Sequence, residues 1–264
     1  MYSSSSVNVS IVMPSYNAVE VISSTIRSVL NQSYLGWELI VVDDCSNDGT
    51  TDVVDSFVKL DSRISLVKLE RNFGGPAGPR NVGVALANYN LVAFLDADDI
   101  WHPRKLEIQV KLFREGNFDL VCSTVSDFYL ESGIQYEDLV HTGAKQISYF
   151  SERFRNQIPT SSVIVRTTLS RRFPFNEARS YRAVEDYDSW LRMLESGAKC
   201  IKVKASLVMY RKIQGQISGS KWQMAKKVLM VHRNRSAVPS LASYLYTFTH
   251  LVGAFYSRVL LKKM

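Results

Sequence analysis

Short apolar runs separated by amphipathic stretches fill the first half of the chain. Val7 to Met13 is a β-branched run that stops at Pro14-Ser15-Tyr16-Asn17. Val21, Ile22, Ile26, Val29 and Leu30 then recur at helical spacing within Val19 to Leu30. Glu38 to Val42 reads as a second buried strand and closes on Asp43-Asp44. Ser46-Asn47-Asp48-Gly49-Thr50 supplies turn and cap residues for a helix through Val53, Val54, Phe57 and Leu60. Ile64 to Leu69 is a third strand, and the loop Gly74-Gly75-Pro76-Ala77-Gly78-Pro79 leads into a helix through Val82 to Ala87. Leu91 to Leu95, Lys105 to Phe113 and Phe118 to Val125 continue as strand, helix and strand. This alternation predicts an α/β, Rossmann-like fold: a mostly parallel central sheet with helices on both faces. Near-continuous apolar strands agree, because strands covered on both sides need no polar face.

After about residue 126 the pattern weakens. Ser161 to Val165 reads as a strand and Asp186 to Leu194 as a helix. Cys200 to Val203 and Leu207 to Tyr210 read as two short strands. The expected division is a domain over 1–215 followed by a helical arm over 216–264.

In open sheets of this class ligands bind beyond the carboxyl ends of the strands. Ser15-Tyr16-Asn17, Asp43-Asp44 and the run Leu95-Asp96-Ala97-Asp98-Asp99 all fall at such ends. Three carboxylates within four residues repel one another, and burial penalises each further. A divalent cation resolves that repulsion. Mg²⁺ or Mn²⁺ takes oxygen ligands, commonly one or two carboxylates plus substrate phosphates. Asp96, Asp98 and Asp99 therefore read as the holders of a metal–diphosphate. The competing reading is a solvated acidic turn ahead of a helix whose start Pro103 marks.

Composition changes this picture little; the placement of charge changes it more. The 264 residues are 46% hydrophobic and 22% charged, an ordinary globular balance. Cys45, Cys122 and Cys200 form no C-x-x-C pair, which argues against a zinc site or a disulfide framework. The N-terminus has neither a basic region nor an apolar run typical of a secretory leader, so a cytosolic location is expected. All 25 acids lie at or before Glu195, where 19 Lys and Arg leave a net −6; residues 196–264 carry 13 Lys and Arg and no acid. Such asymmetry predicts two surfaces with different partners.

Within that basic segment, residues 236–257 hold no charged side chain. Leu241, Leu245, Phe248, Val252, Phe255 and Val259 share one helical face, and Ser243, Thr247, His250 and Ser257 the other. The helix either packs on the domain or a second subunit, or lies on an anionic membrane assisted by Lys221, Lys226, Lys227, Arg233 and Arg235. His102, His141, His232 and His250 show no metal-ligand spacing and receive no role.

Several stretches together resemble glycosyltransferase family 2, with its GT-A fold. They are Val12-Met13-Pro14-Ser15-Tyr16-Asn17, Val41 through Thr50, Arg71-Asn72 with Gly74-Gly75, Arg80-Asn81 and Phe94 through Asp99. Glu185-Asp186 before Trp190-Leu191, and Tyr210-Arg211, match later motifs, so the resemblance covers about residues 7–212. It implies a UDP-sugar donor (UDP-glucose or UDP-galactose favoured), Mn²⁺ or Mg²⁺, and inversion at the anomeric carbon. Carried over by motif, Pro14, Tyr16 and Asn17 would line the nucleoside pocket, and Asp44 would accept from uracil or ribose. Arg80 would approach the base or the diphosphate. Asp96 would sit near the ribose, Asp98 would ligate the metal, and Asp186 would be the general base. With the basic arm, the resemblance suggests a lipid-linked (polyprenyl diphosphate) saccharide acceptor. The setting would be O-antigen or similar assembly at the inner face of the cytoplasmic membrane.

Two other classes compete. A sugar-nucleotide-forming nucleotidyltransferase would carry a glycine-rich, lysine-bearing loop after the first strand, and Pro14-Ser15-Tyr16-Asn17 is not one. A nucleic-acid-binding module would use the basic arm, but the long uncharged stretch and the absence of an RNA or DNA motif argue for no nucleic acid.

Overall fold

The computed structural model describes residues 7–136, 143–212, 221–235 and 240–259, with no side-chain detail for 221, 222, 240 and 251–259. In chain order the elements are β1 (Val9–Ser15), α1 (Ile22–Leu30), β2 (Trp37–Asp43), α2 (Thr50–Leu60), β3 (Ile64–Lys68), α3 (Ala77–Leu86), β4 (Leu91–Phe94), β5 (Ile100–Trp101), α4 (Lys105–Glu115) and β6 (Leu120–Phe128). The second half supplies β7 (Ala144–Ile147), α5 (Tyr149–Phe154), β8 (Ile164–Arg166), α6 (Thr167–Arg172), α7 (Glu185–Glu195), β9 (Cys200–Arg211), α8 (Lys221–Arg233) and α9 (Ser240–Val259).

One sheet runs β3-β2-β1-β4-β8-β6-β9-β5; β7 also pairs with β9, along Cys200–Val203, on the same edge that β5 meets at Val208 and Met209. The first four strands are parallel, as the βα alternation requires. β8 then enters antiparallel to both β4 and β6, so the sheet is mixed. β5 and β7 also pair antiparallel with β9, while β6 and β9 are parallel. The expectation of a mostly parallel sheet thus holds for β1–β4 and gives way beyond it. The strand expected at Phe118 to Val125 is shifted to Leu120–Phe128. Cys200 to Val203 and Leu207 to Tyr210 are one strand, interrupted by irregular register opposite Ser123, Thr124 and Val125.

Apolar residues pointing to the two faces of β1 divide the core. Ile11 and Met13 join Ile22, Ile26 and Trp101 on one side. Val12 joins Phe94, Phe175 and Trp190 on the other. Gly83 lets α3 lie directly on β1, since a Cβ there would come 2.4 Å from Val12 Cγ1. No helix among the described residues is long and apolar enough to cross a membrane.

Candidate active site

The carboxyl ends of β1, β2 and β4 form one rim. Pro14 and Ser15 close β1 inside the sheet, leaving Tyr16 55% exposed beyond it. Asn17 holds a left-handed backbone (φ 47°) and accepts a hydrogen bond from Asn47 N through Oδ1 (3.0 Å). Asp43 accepts from Ser15 Oγ (3.1 Å) and from Ser46 N (2.9 Å), which ties the first two strand ends together. Asp44 is buried, and its Oδ1 accepts from Phe73 N (2.8 Å). Burial pushes the Asp44 carboxyl up, against the lowering effect of the Phe73 and Gly74 amides. Asp48, not Asp44, bonds the start of α2, accepting from Thr50 N (3.0 Å). Cys45 and Ala183 are the other non-glycine residues with positive φ (64° and 72°) among the described residues; Asn17 and Cys45 follow β1 and β2, and Ala183 precedes α7.

After β4 the chain turns through Asp96, Asp98 and Asp99. Asp96 and Asp98 are half-buried and Asp99 fully buried. Burial, then the Asp96 charge, pushes the Asp98 carboxyl up to about 6. Burial, then Asp98 and Asp96, raises Asp99 well above the carboxylate range. Asp99 accepts from Arg211 N (3.1 Å) through Oδ1, and the Ser161 hydroxyl acts against burial by lowering its carboxyl. This is an excess of negative charge built from oxygen donors, which suits a hard divalent cation. No group of three or more His, Cys, Asp or Glu capable of holding a metal occurs among the described residues. A Mg²⁺ or Mn²⁺ here would draw on Asp96 and Asp98, with a diphosphate and water completing its shell.

Arg80 sits where the two halves of the site meet. It is 3% exposed; one guanidinium nitrogen pairs with Asp96 Oδ1 (2.6 Å) and another with Glu185 Oε1 (3.0 Å). Burial opposes its charge, and the two carboxylates more than offset that. The structure therefore places Arg80 in a buried clamp between the β4 end and the start of α7.

Asp186 occupies the first turn of α7. Its Oδ2 accepts from Thr160 Oγ1 (2.7 Å) and its Oδ1 from Tyr187 N (2.7 Å). Trp190, one turn on, anchors the helix against Phe94 and Phe175, with ring centroids 5.9 Å and 5.6 Å away.

The arm clasps this same helix. Tyr187 Oη lies 3.2 Å from His232 Nε2 and 2.9 Å from His250 Nε2. Burial lowers both imidazoles, to about 3 and about 4, so both are neutral near pH 7. Arg235 is buried and paired with Asp188 (3.8 Å) and Glu195, so it is withdrawn from any outer surface. Sequence reasoning gave these histidines no role; their lack of metal spacing concealed a packing function. Ser243, Tyr246 and Thr247 face inward, whereas Leu241, Leu245 and Phe248 are 82%, 54% and 62% exposed. The side chains of Val252, Phe255, Ser257 and Val259 lie outside the described residues.

A cleft of about 320 Å³ opens beside the clamp, between Gly74, Gly75, Ala77, Arg179, Arg182 and Glu185. A larger cleft of about 590 Å³ lies on the far side of α7, against Arg192 and Arg235, and none of the strand-end acids lines it.

A mixed α/β sheet with an acidic turn after β4 and a carboxylate at the start of a facing helix is the architecture of a GT-A glycosyltransferase. The chain belongs to glycosyltransferase family 2: that family's model, "Glycosyl transferase family 2", matches residues 10–179. It is 34% identical over 227 residues to the putative teichuronic acid biosynthesis glycosyltransferase TuaG of Bacillus subtilis (strain 168), covering 85% of this chain and 87% of that one. It is 35% identical over 229 residues to WfgD of Escherichia coli, a UDP-Glc:alpha-D-GlcNAc-diphosphoundecaprenol beta-1,3-glucosyltransferase, covering 83% of each. S. aureus TarS 1-349 in complex with UDP-GlcNAc shares the fold, with a TM-score of 0.73 at 22% identity over 97% of this chain and 77% of that one. The mannosyltransferase PcManGT from Pyrobaculum calidifontis, in complex with GDP-Man and Mn2+, matches with a TM-score of 0.64 at 18% identity over 92% and 69%.

Proposed function

We propose that the chain transfers a hexose, glucose or galactose, from a UDP-sugar to a hydroxyl of a saccharide carried on a polyprenyl diphosphate. The setting is surface polysaccharide assembly of the O-antigen kind, and transfer proceeds with inversion. The observation that carries this is the link from Asp96, beside Asp98 after β4, through Arg80 to Glu185, the neighbour of Asp186 at the start of α7. The donor named for WfgD supports the choice of UDP-glucose, and its acceptor supports a lipid-linked substrate.

Pro14, Tyr16, Asn17 and Asp44 receive the nucleoside at the ends of β1 and β2. Asp98, with Asp96, holds Mn²⁺ or Mg²⁺ when bound, which supplies Lewis-acid stabilisation of the leaving diphosphate. Asp186 accepts the proton of the attacking hydroxyl, and Thr160 and the Tyr187 amide hold its carboxylate still while it does so. Arg80, clamped between Asp96 and Glu185, fixes the distance between the two ends of the reaction and approaches the base or the diphosphate.

Asp186→Asn keeps UDP binding and lowers transfer by about 10²–10⁴-fold, the span of a lost general base. The measurement is UDP release from UDP-glucose with Mn²⁺ and a GlcNAc-diphosphoundecaprenol acceptor; turnover near wild type removes Asp186 from the mechanism.

The arm also supports peripheral contact with an anionic membrane. α9 lays its polar side on the domain and turns Leu241, Leu245 and Phe248 outward, with Lys226 and Arg233 exposed on neighbouring α8. Each basic side chain near an anionic surface contributes about 1 kcal/mol. Phosphatidylglycerol vesicles should sediment the protein at low salt, and Leu241→Ser with Phe248→Ser should release it. A protein that stays in the supernatant in both forms refutes the contact.

A further inference from the structure

We propose that the turn Thr160-Ser161-Ser162 is the spacer that sets the base against the metal-binding carboxylates, with Thr160 as a positioning residue for Asp186. The inference rests on Asp186 being the proton acceptor. Three consecutive buried hydroxyls in one 3-10 turn reach three different elements. Thr160 Oγ1 donates to Asp186 Oδ2 on α7 (2.7 Å). Ser161 Oγ accepts from Asp96 N, at the end of β4 (3.1 Å). Ser162 Oγ accepts from Ser123 N on β6 (3.2 Å).

The turn is itself held from behind. Ser161 C=O accepts from Trp101 Nε1 (2.8 Å) and Ser162 C=O from Gln109 Nε2 (2.8 Å), both from buried side chains. The chain leaves it through Val163, whose C=O accepts from Phe94 N in β4 (3.2 Å). The path from Asp186 to Asp96 therefore runs through two adjacent residues, each hydrogen-bonded and shielded from water, where such bonds gain strength. Among the described residues no other hydrogen bond ties Asp186 to the sheet: its second oxygen is taken by its own helix at Tyr187 N. Thr160 alone fixes which lone pairs of Oδ2 remain for an incoming hydroxyl. Misplacement of a reacting group by about 1 Å costs about 10²-fold.

Thr160→Val keeps the branched shape and removes the donor, and Thr160→Ser keeps the donor. UDP release from UDP-glucose with Mn²⁺ and GlcNAc-diphosphoundecaprenol is followed. Thr160→Val should lower kcat by about 10–100-fold and leave KM for UDP-glucose within about twofold, the signature of a loss confined to the transition state. Thr160→Ser should restore kcat. Wild-type kcat in Thr160→Val overturns the inference, as does a Thr160→Ser enzyme equally impaired. If Thr160→Val lacks a thermal unfolding transition, Thr160→Cys, a weaker donor, replaces it, and wild-type kcat there overturns the inference. An inactive Asp186→Asn beside a normal Thr160→Val refutes this inference alone; an active Asp186→Asn refutes the base assignment and this inference with it.

Discussion

Arg80→Met tests whether the buried clamp holds the two halves of the site together. The side chains of Arg80 and Glu185 are each 4% exposed, and that of Asp96 is 31% exposed. Deleting the guanidinium strands Glu185 among apolar groups, while Asp96 keeps about a third of its contact with water. Removing one partner of a buried pair costs about 3–5 kcal/mol; hydration at Asp96 places the expected loss at the lower end, about 3 kcal/mol. The loss depends on pH. Burial and the Asp186 charge already raise the Glu185 carboxyl above 4.5, and only Arg80, among the charged groups acting on it, opposes them. Without Arg80 the folded variant retains a proton that the unfolded chain releases above that value. Its stability therefore falls as pH rises past about 4.5, and its deficit against wild type narrows on acidification. Urea titration read by tryptophan fluorescence suits the measurement, since Trp37, Trp101 and Trp190 are buried. The expected result is a lower midpoint at unchanged slope, with Glu185→Gln in the same background recovering part of the loss. A variant within about 1 kcal/mol of wild type near pH 7 would refute the reasoning, as would a deficit that widens at low pH.

Other outcomes follow from single side chains. Asp98→Ala should lose the Mn²⁺-dependent part of UDP binding, which calorimetry with and without Mn²⁺ would read as a collapse of the metal effect. Lys105 is fully buried, lies 3.9 Å from the Trp101 ring, and has no hydrogen-bond partner for Nζ among the described residues. Burial lowers its pKa well below 10.5, so the unfolded chain holds the proton more tightly and wild-type stability rises with pH up to that value. Lys105→Met should abolish that slope and add about 1–3 kcal/mol near pH 7, measured by urea melts at several pH values. Gly83→Ala should cost about 1–3 kcal/mol by driving α3 off Val12, visible as a drop in melting temperature.

The parallel half of the sheet was legible because its strands are uninterrupted apolar runs and its helices keep a 3.6-residue period. The three polar strand ends followed from that, and with them the rim. The second half was harder for identifiable reasons. Strand direction leaves no trace in an alternation pattern, so β8 between β4 and β6 could not be read as antiparallel. β5 has two residues, too few to show a period. Lys204, Ala205 and Ser206 break the apolar pattern of β9 where its register against β6 slips, which makes one strand look like two. The acids of the site announced themselves by clustering, but Thr160 did not, since a lone hydroxyl gains meaning only from the carboxylate folded against it. Arg80 was visible as part of a motif; that it would be buried between Asp96 and Glu185 depended on residues 16 and 105 positions away in the chain.

Ala183, two residues ahead of Glu185, carries a methyl group on left-handed backbone. Such a conformation costs a non-glycine residue about 1–2 kcal/mol. Glycine would relax that kink and raise the melting point, yet it would also slacken the approach to α7, which carries the proposed base. Heat resistance and turnover thus pull in opposite directions at a single position, and directed evolution toward a hardier enzyme would reach that conflict early.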